Sequence, residues 1–266
     1  MPRRTQSSGK RAPSRRQVER GRVFLLSPAN CGGVRARMVM SPAAQFALAR
    51  QLRSAEGTSL GDVFSFVSGL YFRGKLAYAR RFARPPDPAD PVAGGGVLVI
   101  TPNAGLRSAD TPITLKSLEA FAAVSIDLGN AAYRGPLEHG ARSLRDAVGP
   151  ECDVVLLGSI ASGKYVEVLQ PIFGDRLVFP PAFVGRGDMS RGGLMLRCVL
   201  AGMELDYAPV AGATRHGQRP PKLAPMRGIL GTPEGVPDDR DPAVGRPFKG
   251  AAPKIVGRSF KGAKKR

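Results

Sequence analysis

The chain has 266 residues, 42% of them hydrophobic, so it can bury a sizeable core in one large or two small domains. Its net charge of +19, its 24 prolines and its 33 glycines are high for a compact domain, so we expect part of the chain to stay outside the packed core. No run of about 18 apolar residues predicts a membrane span, and three widely spaced cysteines fit neither a disulfide scaffold nor a zinc ribbon. We therefore expect a reduced cytoplasmic protein with no cofactor or metal.

The positive charge is concentrated at the two ends of the chain. Residues 1–22 carry eight Lys/Arg against Glu19, and residues 211–266 carry thirteen against four acidic residues. Such segments cannot bury enough apolar surface to offset their chain entropy, so disordered basic arms are predicted at 1–22 and 209–266, around an α/β domain at 23–208. The arms suit salt-sensitive binding of RNA or DNA, but arginine-rich composition and solubility explain the charge equally well.

The first half of the domain is predicted to begin with strands and continue with helices. The apolar run VFLLS (23–27) ends at a proline and predicts the first strand. VRARMVM (34–40) alternates and is interpreted as a second strand or a hairpin partner. Residues 42–56 have helical composition, and another helical segment is predicted to start at a cap, Ser59 or Asp62, and to reach residue 82.

Strands and helices alternate in the second half. GGGVLVITPN (94–103) is the clearest predicted strand, because glycines precede it and a Pro-Asn turn follows it. The pattern then predicts helix, strand, helix, strand and helix in GPLEHGARSLRDAVG, CDVVLLGS, YVEVLQPIF, RLVFPPAF and GGLMLRCVLAGMEL. This alternation is typical of a three-layer α/β domain with a mostly parallel sheet flanked by helices.

GSIASGKY (158–165) resembles a phosphate-binding loop in spacing and in its position between a strand and a helix. Tyr165 stands where such loops have the Ser or Thr that ligates Mg²⁺, and its hydroxyl lies too far from the backbone to replace it. A P-loop-like nucleotide hydrolase is therefore the least favoured function. Anion binding without hydrolysis is predicted here and at the following turn, through Ser159, Ser162, Gly163, Lys164 and Arg186.

Three segments together resemble a known family: SGLYFRGKLAYARRF (68–82), VLVITPNAGLR (97–107) and GSIASGKYVEVL (158–169). Their order is similar to that of a bacterial α/β domain of unknown function, which itself is similar to the uracil-DNA-glycosylase-like module of archaeosine synthases. Those enzymes act in tRNA base modification, so the resemblance implies chemistry on a nucleobase or its glycosidic bond. It also implies that motif positions are occupied by Tyr78, Gly105, Leu106, Lys164 and Tyr165.

Polar residues follow four of the predicted strands, where ligands bind in parallel sheets: Ser27–Cys31, Thr101–Asn103, Ser159–Lys164 and Arg186–Arg191. Asn30 and Asn103 carry amides able to read a base edge, and Asp188 is the best placed carboxylate for a general base, so these three are the predicted catalytic residues. The alternative is that the asparagines stabilise turns and that Asp188 caps a helix. Cys31 is a weak candidate nucleophile, because neither His139 nor His216 is placed to activate it.

The C-terminal segment contains one short repeat, VGRPFKG (244–250) and VGRSFKG (256–262). Each copy offers an aromatic ring for base stacking between two cations, although a duplicated low-complexity tail gives the same pattern. The predicted nucleic-acid-binding residues are Arg246, Phe248, Lys249, Arg258, Phe260 and Lys261. The sequence as a whole predicts a nucleic-acid-associated protein that binds a nucleotide, base or phosphate at its strand ends; the alternative is a non-catalytic RNA- or DNA-binding accessory protein.

Overall fold

The computed structural model describes residues 20–223. In chain order its strands and helices are β1 (Gly21–Leu26), α1 (Val34–Met40), α2 (Ala47–Arg53), β2 (Thr58–Ser59), α3 (Leu60–Ser68), α4 (Leu70–Phe82), β3 (Val97–Ile100), β4 (Leu106–Ser108), β5 (Pro112–Ile113), α5 (Leu115–Ala122), α6 (Ala131–Val148), β6 (Cys152–Leu157), α7 (Gly163–Phe173), β7 (Leu177–Phe179), α8 (Asp188–Ala201) and β8 (Ala208–Pro209). None of the helices within 20–223 is both long and apolar enough to cross a membrane.

Six strands form one sheet, in the order β4-β3-β1-β6-β7-β8. The four central strands, β3, β1, β6 and β7, run parallel, and the edge strands β4 and β8 are antiparallel to their neighbours. The strands β2 and β5 form a separate two-stranded antiparallel ladder. The predicted mostly parallel sheet is therefore confirmed.

Helices cover both faces of the sheet. Successive side chains of a strand point to opposite faces, so Phe24 and Leu26 enter the core beneath α1–α5 and α8, whereas Val23 and Leu25 enter the core beneath α6 and α7. All four of these side chains have no exposed surface, as expected for a strand covered on both faces. The three-layer α/β architecture predicted from the sequence is confirmed.

Two predictions for the first half were wrong in detail. Residues 34–40 form the helix α1 rather than a strand, because Ala36 and Val39, three residues apart, share the buried face. The segment from 59 to 82 is two helices, since Gly69 at φ 59° ends α3 and starts α4. Ser59 is the cap of α3, because its hydroxyl accepts a hydrogen bond from the Asp62 amide.

The remaining predicted elements lie where they were expected, with shifted ends. The helix expected over 42–56 is shorter, Ala47–Arg53, because the chain around Pro42 turns before α2 begins. β1 begins at Gly21 and the side chain of Val210 is buried, so packed structure is present on both sides of the 23–208 range. The greater part of both predicted basic arms lies outside the described residues.

Candidate functional site

The carboxyl edge of the sheet changes direction between β1 and β6. The chain leaves β1 through α1–α4 on one face to reach β3, and it leaves β6 through α7 on the other face to reach β7. Because β1 and β6 are neighbours, their two exits diverge at a topological switch point, where an open α/β sheet usually forms its ligand crevice. Ser27 and Gly158 are the first residues beyond these two strands, so they lie at this switch point.

Gly158 lets β6 end directly beside Ser27. A Cβ placed on Gly158 would lie 3.0 Å from the Ser27 Cβ, which is tighter than ordinary van der Waals contact. The Ser27 side chain is therefore held against the backbone of the neighbouring strand. The hydroxyl-bearing residue at the end of β1 has a fixed position, as a binding or reacting group requires.

Lys75 lies beneath Ser27 and is almost completely buried, with 1% of its surface exposed. Its Nζ donates hydrogen bonds to the Ser27 carbonyl oxygen at 2.5 Å and to the Ser27 Oγ at 2.9 Å. The ammonium also faces two aromatic rings, with centroid distances of 4.4 Å to Tyr71 and 4.8 Å to Phe72. A lysine fully buried against neutral oxygens is costly to keep charged, which makes it a candidate functional group.

The environment of Lys75 favours its neutral form. Burial, together with the positive charge of Arg191, lowers the pKa of Lys75 to about 7, although the negative charge of Asp188 acts in the opposite direction. The amine is therefore divided between its charged and neutral forms near neutral pH. Such a group can accept a proton, or it can stay charged when an anion binds beside it.

The Tyr71 hydroxyl makes no hydrogen bond of good geometry among residues 20–223, although the Arg191 guanidinium and the Ser27 hydroxyl lie close to it. It is fully enclosed, and the residue is only 9% exposed. Burial raises the pKa of the Tyr71 phenol, while the nearby Arg191 guanidinium and Ser27 hydroxyl lower it. A buried donor without a partner is expensive, so an orphaned phenol at the switch point indicates a ligand atom that it would meet.

α8 contributes two charged side chains to the same region. The Arg191 side chain is 12% exposed and donates from Nε to the Phe183 carbonyl oxygen at 3.1 Å. Its Nη1 lies 3.7 Å from Asp188 Oδ1, but the Asp188 side chain is 69% exposed. Because solvent screens the exposed carboxylate, Asp188 neutralises the guanidinium only in part.

Tyr165 adds a residue from the opposite face of the sheet to this site. It lies in the first turn of α7, and its half-buried ring packs with the core beneath α6 and α7. Burial raises the pKa of Tyr165 to about 12, and the charges of Tyr71 and Asp188 add to the rise. We use the name switch-point cluster for the residues gathered here: Ser27, Tyr71, Lys75, Tyr165, Asp188 and Arg191.

Of the three predicted catalytic residues, only Asp188 belongs to the switch-point cluster. Asn30 is exposed, and its Oδ1 accepts a hydrogen bond from the Gly32 amide at 3.2 Å. Asn103 donates from Nδ2 to the Ala120 carbonyl oxygen at 3.0 Å, and it lines a separate groove beside α6. Asn30 thus makes the bond of a turn-stabilising residue, whereas Asn103 ties the turn after β3 to α5, and the catalytic role of both stays a prediction.

The turn before α7 carries the predicted anion-binding residues. The Ser159 Oγ accepts from the Ala161 amide at 3.3 Å, Ser162 is half-buried, and the Lys164 side chain is exposed. The carboxylate of Glu167 folds back against Gly163 at the start of the helix. That negative charge opposes an anion at this helix end, so the switch-point cluster is the better anion site.

Arg186 holds the chain after β8. Its Nε donates to the Ala182 carbonyl oxygen at 3.0 Å, and its Nη1 donates to Ser190 Oγ at 3.2 Å and to the Pro221 carbonyl oxygen at 3.5 Å. These bonds use much of the donor capacity of its guanidinium, so Arg191 is better placed than Arg186 to bind a ligand.

The cysteines and histidines show no sign of chemistry within the described part of the chain. Burial raises the pKa of the Cys31 thiol to about 12, which is opposite to what a nucleophilic thiolate needs. His139 lines the groove that contains Asn103, and His216 is exposed. Between residues 20 and 223 no group of three or more His, Cys, Asp or Glu could hold a metal ion.

The predicted nucleic-acid-binding residues, Arg246 to Lys261, lie outside the described residues.

Lys75 and Tyr71 were missed as site residues by the sequence analysis, whereas Ser27 and Arg191 lie in polar stretches predicted at strand ends but were not among the predicted site residues. A usable signal existed for Lys75, because it shares a helical face with Phe72, Ala79 and Phe82, all of them buried. A lysine on the apolar face of an amphipathic helix departs from the usual pattern and is as informative as a buried carboxylate.

Comparison of the chain with protein-family models, with curated proteins and with solved structures finds no match.

Proposed function

We propose that the chain is a nucleic-acid-associated protein that binds a phosphate-bearing nucleotide at the switch-point cluster. The observation that carries this proposal is the placement of two basic side chains, Arg191 and the partly protonated Lys75, beside a single, largely exposed carboxylate, Asp188, at the switch point between β1 and β6. A guanidinium presents a planar fork that suits phosphate oxygens, and an ammonium adds a point charge. Tyr165 supplies an aromatic ring beside them for a base.

On the resemblance described above, the ligand is a nucleotide of RNA or DNA and the chemistry concerns its base or glycosidic bond. Asp188 is the carboxylate of the cluster available as a general base, and its exposure leaves it free to meet a ligand. The competing proposal is an accessory protein in which the α/β domain only carries the basic arms. A binding measurement on the domain separates the two, because an accessory domain has no need of a nucleotide site.

We expect Arg191→Gln to weaken the binding of adenosine and guanosine monophosphate at least tenfold in titration calorimetry of the full chain. The amide removes the charge and the fork but retains a donor, so the loss reports phosphate recognition. The control is Arg134→Gln on α6, an exposed arginine outside the cluster, which should leave the affinity unchanged. Equal affinities for the wild type and Arg191→Gln would contradict the proposal.

Nucleotide binding should also weaken as the pH rises through about 7, because the phosphate interacts best with protonated Lys75, whose pKa burial lowers to that value. This dependence gives a second readout of the same experiment. Titrations at pH 7.5 and pH 9 in matched ionic strength measure it, because the phosphate, whose second pKa is about 6, is a dianion at both values. An affinity that is the same at both values would exclude Lys75 from phosphate binding.

For the arms, we propose that the repeat binds nucleic-acid phosphates. Replacing Arg246, Lys249, Arg258 and Lys261 together by glutamine should lower the slope of log K against log [salt] for a single-stranded RNA by about 3. Replacing Phe248 and Phe260 by leucine should weaken binding with little change in slope, because stacking releases no counterions. Fluorescence anisotropy between 50 and 300 mM salt tests both, and an unchanged slope in the glutamine variant would contradict the role of the repeat.

A further inference from the structure

We propose that Ser27 is a nucleophile activated by Lys75, and that the switch-point cluster transfers an acyl group from an ester or amide through Ser27 to water. Three features of the structure lead to this activity: the contact between the Ser27 hydroxyl and the Lys75 amine, the greater exposure of Ser27 than of Lys75, and the buried Tyr71 phenol without a hydrogen bond of good geometry. The activity goes beyond nucleotide binding and does not depend on the identity of the nucleotide.

The Ser27 Oγ and the Lys75 Nζ are 2.9 Å apart, which is the distance expected for a nucleophile and its general base. The second hydrogen bond, from Nζ to the Ser27 carbonyl oxygen, fixes the direction of the amine. The rings of Tyr71 and Phe72 close the other side of the amine. The neutral amine can keep its hydrogen bond to the carbonyl oxygen and direct its lone pair to the Ser27 hydroxyl.

Ser27 lies nearer to the solvent than Lys75. The serine is 6% exposed and the lysine 1%, and the serine stands at the carboxyl end of β1, where a ligand enters. A substrate that approaches the switch point therefore meets the hydroxyl first, with the amine behind it. This order suits a serine nucleophile with a lysine base, and it does not suit a lysine that attacks a carbonyl itself.

The Tyr71 hydroxyl is placed to stabilise the negative charge that develops on the substrate oxygen in such a reaction. It is buried, it donates to no atom of residues 20–223, and it lies close enough to Ser27 and Arg191 for both to lower its pKa. A donor of this kind stabilises the oxyanion of a tetrahedral intermediate, and Arg191 adds positive charge. The same guanidinium favours a substrate with an anionic group near the acyl carbon.

The reaction balances without any oxidant, reductant or metal. Neutral Lys75 takes the proton of the Ser27 hydroxyl while Oγ bonds to the acyl carbon, and the bond from that carbon to the leaving oxygen or nitrogen then breaks. The leaving group takes the proton from Lys75. A water molecule, deprotonated by Lys75, attacks the Ser27 ester, releases the carboxylic acid and restores the hydroxyl.

A fluorophosphonate probe tests this inference on the full chain. The Ser27 Oγ would form a bond to phosphorus, fluoride would leave, and Lys75 would take the proton. We expect one label per chain, located on Ser27 by mass spectrometry of peptides, with a labelling rate that rises with pH through about 7. Ser27→Ala should not be labelled, and the control Ser143→Ala, a partly exposed serine on α6, should be labelled at the wild-type rate.

Two further variants separate activation from a merely structural contact. Lys75→Met should label at least 100-fold more slowly, provided that circular dichroism shows a folded chain. Tyr71→Phe, which removes only an unpartnered hydroxyl and keeps the fold, should label about tenfold more slowly. Label on another residue, no label, or equal rates in the wild type and Tyr71→Phe would overturn the inference; unlabelled protein that still binds nucleotides would leave the proposed function standing.

Discussion

Replacing Gly74 or Gly192 by alanine should lower the free energy of unfolding by about 3 kcal/mol, because these glycines are where α4 and α8 cross. A Cβ on Gly74 would lie 2.6 Å from the Gly192 carbonyl oxygen and 2.9 Å from its Cα. A Cβ on Gly192 would lie 2.7 Å from the Leu70 carbonyl oxygen. Backbone atoms of a packed helix cannot move aside as a flexible side chain can, so the helices must separate.

The crossing matters for the site as well as for stability. α4 carries Tyr71 and Lys75, and α8 carries Asp188 and Arg191, so the distance between the helices sets the spacing of the switch-point cluster. Helices that pack through glycine approach each other more closely than side chains would allow. We therefore expect the alanine variants to weaken nucleotide binding even where enough stability remains for the chain to fold.

Urea unfolding of the full chain measures the stability change, and Gly135→Ala is the matched control. Gly135 lies on the exposed surface of α6, and a Cβ there would meet nothing within 4 Å. Alanine at that position should raise the stability by about 0.5–1 kcal/mol through helix propensity alone. If Gly74→Ala were as stable as Gly135→Ala, the close crossing would be wrong.

The four central strands of the sheet could be predicted from the sequence because they contain short apolar runs, whereas the edge strands β4 and β8 are two or three residues long and were not predicted. VFLLS, VLVI and VVLL are runs bounded by turn residues, and covering both faces with helices requires such runs. The helix α1 escaped prediction because its arginines alternate with apolar residues over a stretch too short for the 3.6-residue period to stand out. The local pattern was ambiguous, and tertiary packing decided it.

The site was only half predictable. Ser27 follows the strand β1, and Asp188 begins the helix α8 in the loop region after β7. The rule that ligands bind at strand ends was therefore enough to place both residues in candidate clusters. Lys75 was hidden inside a helix, where lysine is a common surface residue, and its burial depends on the crossing with α8. The contact between Gly74 and Gly192 joins parts of the chain that no local pattern relates.

The stability of the wild type relative to Lys75→Met should rise with pH between about 7 and 10.5. Burial lowers the pKa of Lys75 from 10.5 to about 7, so in this range the unfolded chain holds a proton that the folded chain does not. Stability rises with pH wherever the unfolded state binds more protons, here by at most about 1.4 kcal/mol per pH unit. Below pH 7 both states are protonated, and the full cost of the buried charge remains.

Urea unfolding of both proteins from pH 6 to pH 10 measures this difference. Burial raises the pKa of Cys31 and that of Tyr78, each to about 12, so these groups make the folded state less stable as the pH rises above the values at which they titrate in the unfolded chain. They are present in both proteins, so their contribution cancels in the difference and the slope belongs to Lys75. The exposed Lys116→Met is the control and should show no slope relative to the wild type. A flat difference for Lys75→Met would mean that the buried amine stays charged throughout, and the activation of Ser27 would lose its base.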